Sequence, residues 1–150
     1  MSLRVAIRRN QAVQRLMLGR EKSEAMIEST QNKHIKGLIG LQKNKKQRTK
    51  EKVFIVEGIK IIEEIPRDWE IVSLFTATSF NKENSIFLNR IIKDRNIFLD
   101  RIFEVRDQVF HAVSDTKTPQ GILAVCRQKT FLLQEVLREE NGFYIILEDL

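Results

Sequence analysis

The stretch Thr118-Pro119-Gln120-Gly121-Ile122-Leu123-Ala124-Val125 joins a tight turn to an apolar run. Pro119 fixes its own φ and Gly121 can adopt a positive φ, so the backbone is expected to turn sharply just before the run. The run has no polar residue, which is typical of a strand covered on both faces. The stretch therefore predicts a buried strand over residues 121–126.

Outward from this strand, strand-like and helix-like segments alternate along the chain. Val53-Phe54-Ile55-Val56 is an unbroken β-branched and aromatic run, typical of a second buried strand. Further strands are predicted at residues 71–76, 101–105 and 143–147, and helices at residues 59–65, 85–93, 106–113 and 131–139. Another helix is predicted after the capping-type residues 29–32, ending in a basic loop at residues 43–50. This alternation indicates an α/β fold with a mostly parallel sheet covered on both faces.

Size and composition limit the class of protein. With 150 residues, 42% hydrophobic and 31% charged, the chain can bury one core. It contains no run of 18 apolar residues, the length that a membrane-spanning helix requires. One cysteine, Cys126, and two histidines provide neither a disulfide framework nor a zinc site. A reducing, cytoplasmic setting is expected, with Cys126 as a small buried hydrophobe.

Positive charge is concentrated near the start of the chain. Residues 1–52 contain 14 Lys and Arg against 4 Asp and Glu, whereas residues 53–150 contain 12 against 16. Such an excess is expected for a surface that binds a phosphate backbone, because each contacting cation releases condensed counterions. A solvated, disordered basic arm is the alternative.

Residues 1–25 differ from the rest of the chain. They are Arg-rich, contain no acid before Glu21 and mix cations with apolar residues. The absence of an apolar core segment argues against a secretion signal, and the scarcity of hydroxyl residues argues against a transit peptide. We expect a basic leader or extension, disordered or helical, with Met26 as the native start.

Several familiar motifs are excluded by their context. His111, Ser114 and Asp115 lie too close in sequence to converge as a catalytic triad, whose members normally come from separate elements. The Gly37-Leu38-Ile39-Gly40 match to an RNA-clamping GxxG loop falls inside a helical pattern, so we interpret it as coincidental. No GxGxxG or P-loop is present to hold a nucleotide.

Two polar segments remain as candidate binding surfaces. One is the basic segment, residues 43–52. The other spans residues 116–121, where Lys117 offers a cation, the threonines and Gln120 offer hydrogen-bond groups, and the turn exposes backbone N–H groups that suit a phosphate or a ribose 2′-hydroxyl. A polar turn without a ligand is the alternative.

Five motifs follow one another in a characteristic order. They are Asn32-Lys33-His34-Ile35-Lys36, a basic loop with Arg48, Phe54-Ile55-Val56-Glu57-Gly58, Thr118-Pro119-Gln120-Gly121-Ile122-Leu123-Ala124 and Ile145-Ile146-Leu147-Glu148-Asp149. In this order the chain resembles, over residues 27–150, the amino-terminal half of SpoU-type RNA 2′-O-ribose methyltransferases of the SPOUT (TrmH-like) superfamily.

The resemblance implies a domain organisation. Residues 26–130 would form a three-layer α/β/α sandwich like that of kink-turn-binding ribosomal proteins, which binds substrate RNA. Residues 131–150 would form a linker helix and the first strand of a truncated, knotted methyltransferase domain. In the family that second domain dimerises, binds S-adenosylmethionine and methylates a ribose 2′-OH. Its later motifs have no counterpart here, so the resemblance implies no catalytic, cofactor-binding or metal-binding residue in this chain.

The resemblance also implies partners and contacts. The full-length protein would use S-adenosylmethionine, form a homodimer and act on ribosomal or transfer RNA. Glu57-Gly58 would be structural, with Glu57 bonding loop N–H groups. The side chains expected to contact RNA are Asn32, Lys33, Lys36, Lys45, Lys46, Arg48, Lys50, Lys117, Thr118 and Gln120. A free-standing RNA-binding scaffold of the same fold and an α/β interaction domain that does not bind RNA are the alternatives.

Overall fold

A computed structural model describes residues 26–137, 142, 143 and 145 of the chain. The basic leader predicted at residues 1–25 lies outside the described residues. The elements in chain order are α1 (Lys33–Lys43), α2 (Lys45–Glu51), β1 (Val53–Glu57), α3 (Ile59–Glu64), β2 (Ile71–Ala77), α4 (Thr78–Glu83), α5 (Ser85–Asp94), a 3-10 turn (Leu99–Arg101), β3 (Ile102–Val105), α6 (Asp107–Val113), β4 (Ile122–Arg127) and α7 (Leu133–Val136).

The four strands form one sheet in the order β1-β4-β2-β3. Among the described residues, β4 pairs with both β1 and β2 in the antiparallel sense, and β2 pairs with β3 in the parallel sense. The prediction of a mostly parallel sheet was therefore wrong. The turn before β4 is the reason: Gly58 N–H donates to Ile122 O (3.0 Å) and Ala77 N–H donates to Gly121 O (2.8 Å), so β4 starts where β1 and β2 end.

Helices cover both faces of the sheet, which confirms the α/β/α arrangement. On one face the His34 ring of α1 stacks on Phe103 of β3, with 4.1 Å between ring centroids. Because side chains alternate along a strand, Leu74 of β2 and its partner Ala124 of β4 point to the other face. Helices α3 and α5 are joined there by an ion pair between Glu63 and Arg90. The β4 residues 122–126 are all buried, as their apolar run predicted.

Most predicted elements are present with small shifts of their ends, but three segments differ within the described residues. The basic loop predicted at residues 43–50 contains helix α2. Of the helix predicted at residues 131–139, the described residues 131–137 contain the four-residue α7 and are all exposed, and residues 138 and 139 lie outside the described part. Of the strand predicted at residues 143–147, Phe143 and Ile145 are exposed and not in a strand, and the rest lies outside the described residues.

The thiol of Cys126 is fully buried in β4, as predicted. Burial raises the pKa of this thiol to about 11, because a thiolate would lose its hydration there. We expect the native protein to react very slowly with a thiol-specific disulfide reagent at pH 8, and to react at once after denaturation. Rapid reaction of the native protein would contradict the buried placement.

Candidate nucleic-acid interface

Helix α2 carries the cations that the sequence placed in a loop. It begins at the N-cap Asn44, whose Oδ1 accepts from Gln47 N–H (3.1 Å). Lys45, Lys46 and Lys50 are exposed, and none of them takes part in the ion pairs found among the described residues. An exposed helix face with several unpaired cations attracts a polyanion.

Arg48 points away from this exposed face and holds α2 against α1. Its Nη1 donates to the carbonyl oxygens of Leu41 (2.6 Å) and Gln42 (2.7 Å), which belong to the last turn of α1. A cation at a helix carboxyl end also interacts favourably with the helix dipole. Arg48 therefore positions the lysines of α2, and its Nη1 is used within the protein.

The 114–120 loop, residues 114–120 between α6 and β4, is anchored to the end of β1 by one carboxylate. Glu57 Oε1 accepts hydrogen bonds from Ser114 Oγ (2.7 Å) and Thr116 Oγ1 (2.9 Å). Glu57 thus binds loop hydroxyls rather than the loop N–H groups that the sequence suggested. Lys117 and Thr118 follow these hydrogen-bonded residues and are exposed to solvent. The part of the loop that precedes them is held in place by Glu57.

The loop is fixed at its other end by Gln120. Its Oε1 accepts from Ile59 N–H (2.9 Å) at the start of α3. Gly58, with φ of 104°, allows this approach, because a Cβ on it would lie 3.0 Å from the same Oε1. The side-chain carbonyl of Gln120 is therefore engaged in closing the turn, and its role toward RNA stays a prediction.

One hydrogen bond brings the two candidate segments together. Gln42 Nε2, in the last turn of α1, donates to Val113 O (2.7 Å), the residue just before the 114–120 loop. Helix α2 begins three residues after Gln42. The start of the basic helix and the base of the loop that carries Lys117 consequently belong to one end of the domain.

The predicted residues at the start of α1 lie elsewhere. Asn32 is the N-cap of α1, with its Oδ1 accepting from His34 N–H (2.8 Å). Lys33 and Lys36 are exposed on the first turn. At about 1.5 Å per residue, Lys33 is separated from the last residue of α1 by about 15 Å along the helix. A ligand that contacted every predicted residue would have to extend along α1.

Sequence reasoning missed a polar cleft beside the 114–120 loop. Asp107 Oδ1 accepts from Ser79 N–H (3.0 Å) and Ser79 Oγ (2.8 Å), and these bonds hold the pKa of Asp107 below its usual value. The cleft, of about 160 Å³, is also lined by His111 and Gln120. The sequence did contain a signal for this cleft. Ser79 and Asp107 each follow a predicted strand, and the carboxyl ends of two parallel strands lie side by side.

Other kinds of site find no support in the described part of the chain. Its His, Cys, Asp and Glu side chains form no group of three or more that would hold a metal ion. None of its helices has the length and apolar composition needed to cross a bilayer.

Comparison with known proteins gives a family and a fold. Residues 32–124 match the model of the MRM3-like substrate binding domain. No curated protein matches significantly in sequence.

Solved structures share the fold at low sequence identity. An AdoMet-bound rRNA methyltransferase from Sinorhizobium meliloti has 19% identity and a TM-score of 0.61 over 78% of this chain and 41% of its own. An RNA 2′-O ribose methyltransferase has 23% identity and a TM-score of 0.56 over 80% and 41%. The SpoU methyltransferase AviRb from Streptomyces viridochromogenes, in complex with AdoMet, has 16% identity and a TM-score of 0.55 over 75% and 39%. The present chain thus spans about two fifths of the length of each.

Proposed function

The chain belongs to the family of MRM3-like substrate binding domains, and we propose that it holds substrate RNA for an S-adenosylmethionine-dependent methyltransferase that modifies ribose 2′-hydroxyl groups. The observation that carries this proposal is the exposed, unpaired set Lys45, Lys46 and Lys50 on α2, next to a loop that presents Lys117. Phosphate contacts from such lysines position a nucleic acid without reading its sequence.

The remaining parts of the proposal concern the whole protein. S-adenosylmethionine would supply the methyl group, in a knotted domain that also forms a homodimer. The RNA would be ribosomal or transfer RNA, and the setting cytoplasmic. The fold shared with AdoMet-bound methyltransferases supports the enzyme class.

Two clefts of the described residues do not fit S-adenosylmethionine. The cleft at Asp107, about 160 Å³, is smaller than the ~300 Å³ at which small-molecule sites usually begin. The groove beside α1, about 280 Å³, is lined by Lys33 and Arg101, whose charges oppose a sulfonium cation. We therefore propose that the described residues bind and orient RNA, and that methyl transfer takes place in the knotted domain.

The salt dependence of RNA binding tests the proposal. If about four to six cations contact phosphates of a largely single-stranded RNA, log affinity should fall against log salt with a slope of roughly −3 to −4. The measurement is fluorescence anisotropy of a labelled single-stranded oligoribonucleotide with the full chain, titrated between about 0.05 and 0.3 M salt. The proposal would be refuted if no RNA bound at the lowest salt concentration, or if the affinity did not change with salt concentration.

A further inference from the structure

A groove lies between α1 and the sheet. Its volume is about 280 Å³, and its lining is mostly apolar, with Leu38 and Leu41 from α1 and Phe75 from β2. The stacked rings of His34 and Phe103 form part of the same lining. A pocket of this size and character suits one flat, largely apolar group.

The sheet is irregular where it lines this groove. Ile71 pairs with Cys126 and Ser73 pairs with the next β4 residue, Val125, so Val72 is an extra residue in β2. Because of this bulge, the consecutive residues Val72 and Ser73 both line the groove, whereas neighbours in a regular strand point to opposite faces. Bulges of this kind are over-represented next to functional sites.

Gly37 leaves the groove open on the helix side. It is an exposed residue in the middle of α1 and lines the groove, and a Cβ built on it would meet nothing within 4 Å. At the other glycine of this helix, Gly40, a Cβ would lie 3.0 Å from Oε1 of Gln47, at the end of a flexible side chain. Packing does not explain Gly37, and glycine inside a helix weakens it relative to alanine. Glycine is favoured where a ligand approaches a backbone closely.

Cations surround the opening. Lys33 and Arg101 line the groove, and Lys36 is exposed on the same helix turn as Gly37. Arg101 is paired with Glu70 (2.7 Å) and also lies over the exposed Phe98 ring, with Cζ 5.3 Å from its centroid. A phosphate beside an inserted base would lie near these cations, of which Arg101 is already paired with Glu70.

We propose that the groove beside Gly37 receives one unstacked nucleobase of the bound RNA, while the flanking phosphates lie on the cations of α1 and Arg101. This inference rests on the proposed function and adds a recognition element to it. Unstacked bases are commonly held between aromatic and Arg side chains in single-stranded RNA recognition. Helix α1 then links this site to the lysines of α2, so a single strand running along α1 reaches both.

Filling the groove tests the inference without changing charge. Gly37→Leu places a side chain over the opening from an exposed helical position with free space around it, so the fold should be retained, as a thermal midpoint no lower than that of the wild type would show. Loss of one stacked base should weaken binding of a labelled single-stranded oligoribonucleotide roughly fivefold or more. The slope against log salt should stay the same, because no cation is removed. Gln108→Leu, at an exposed neutral position on α6, is the matched control and should bind like the wild type.

Binding to inorganic polyphosphate distinguishes a lost base contact from a lost charge contact. This polymer carries phosphates without bases, so Gly37→Leu should bind it as tightly as the wild type does. Unchanged affinity of the variant for the oligoribonucleotide would overturn the inference, and so would an equal loss for both polymers. If the wild type bound no RNA at all, the proposed function itself would fail, whatever the variant did.

Discussion

Replacing Gly121 by alanine should destabilise the domain by about 2–4 kcal/mol, a large share of the ~5–15 kcal/mol that keeps a domain folded. Gly121 has φ of 80°, and a Cβ there would lie 2.9 Å from Phe80 Cβ and 3.2 Å from Ala77 Cβ. The left-handed conformation costs a non-glycine residue about 1–2 kcal/mol and overpacking about 1–3 kcal/mol, offset in part by a less flexible unfolded chain. Urea unfolding followed by circular dichroism measures the loss.

Gly37→Ala is the matched control for this substitution. Gly37 lies inside a helix with open space at its Cβ position, so the same chemical change should stabilise the protein by up to about 1 kcal/mol. A loss of stability at Gly121 together with a gain at Gly37 would show that the turn before β4 requires Gly121. A Gly121→Ala variant as stable as the wild type would contradict the close approach to α4.

The turn and the strand after it were predictable because their signals are local. Pro119 and Gly121 indicate a sharp turn by their own conformational limits, and the apolar run that follows indicates burial. The direction of β4 in the sheet was not predictable in the same way. It depends on how β4 pairs with β1 and β2, through backbone contacts such as Gly58 to Ile122 that join residues far apart in sequence. A run buried on both faces is compatible with either strand direction.

The candidate site was predictable as charge but not as geometry. Clustered lysines indicate a polyanion surface whether the segment is a loop or a helix, so the wrong assignment of residues 43–50 leaves that inference unchanged. The sequence did not separate Arg48 and Gln120 from the exposed lysines. Both side chains are engaged by backbone groups of other elements, and such tertiary contacts leave no local pattern.

Replacing Lys45, Lys46 and Lys50 together by alanine should produce the largest loss of RNA binding. Each lysine that contacts a phosphate contributes about 0.7 to the slope of log affinity against log salt for a single strand, so the slope should become shallower by about 2. The three lysine–phosphate contacts contribute nothing to affinity at 1 M salt, so at 0.1 M salt the triple variant should bind RNA about 100-fold more weakly than the wild type. Alanine is a strong helix former, so α2 and the stability of the domain should be retained. Anisotropy titrations at several salt concentrations measure both quantities.

The matched control removes the same charge from other helices. Lys60 on α3, Lys82 on α4 and Lys93 on α5 are also exposed, and their joint replacement by alanine lowers the net charge equally. Long-range attraction alone would make the two triple variants equivalent, because it depends mainly on net charge. If the lysines of α2 contact phosphates, the slope of log affinity against log salt should become shallower in the α2 variant. In the control variant it should stay near the wild-type value. Equal slopes in the two variants would place the RNA-binding surface away from α2.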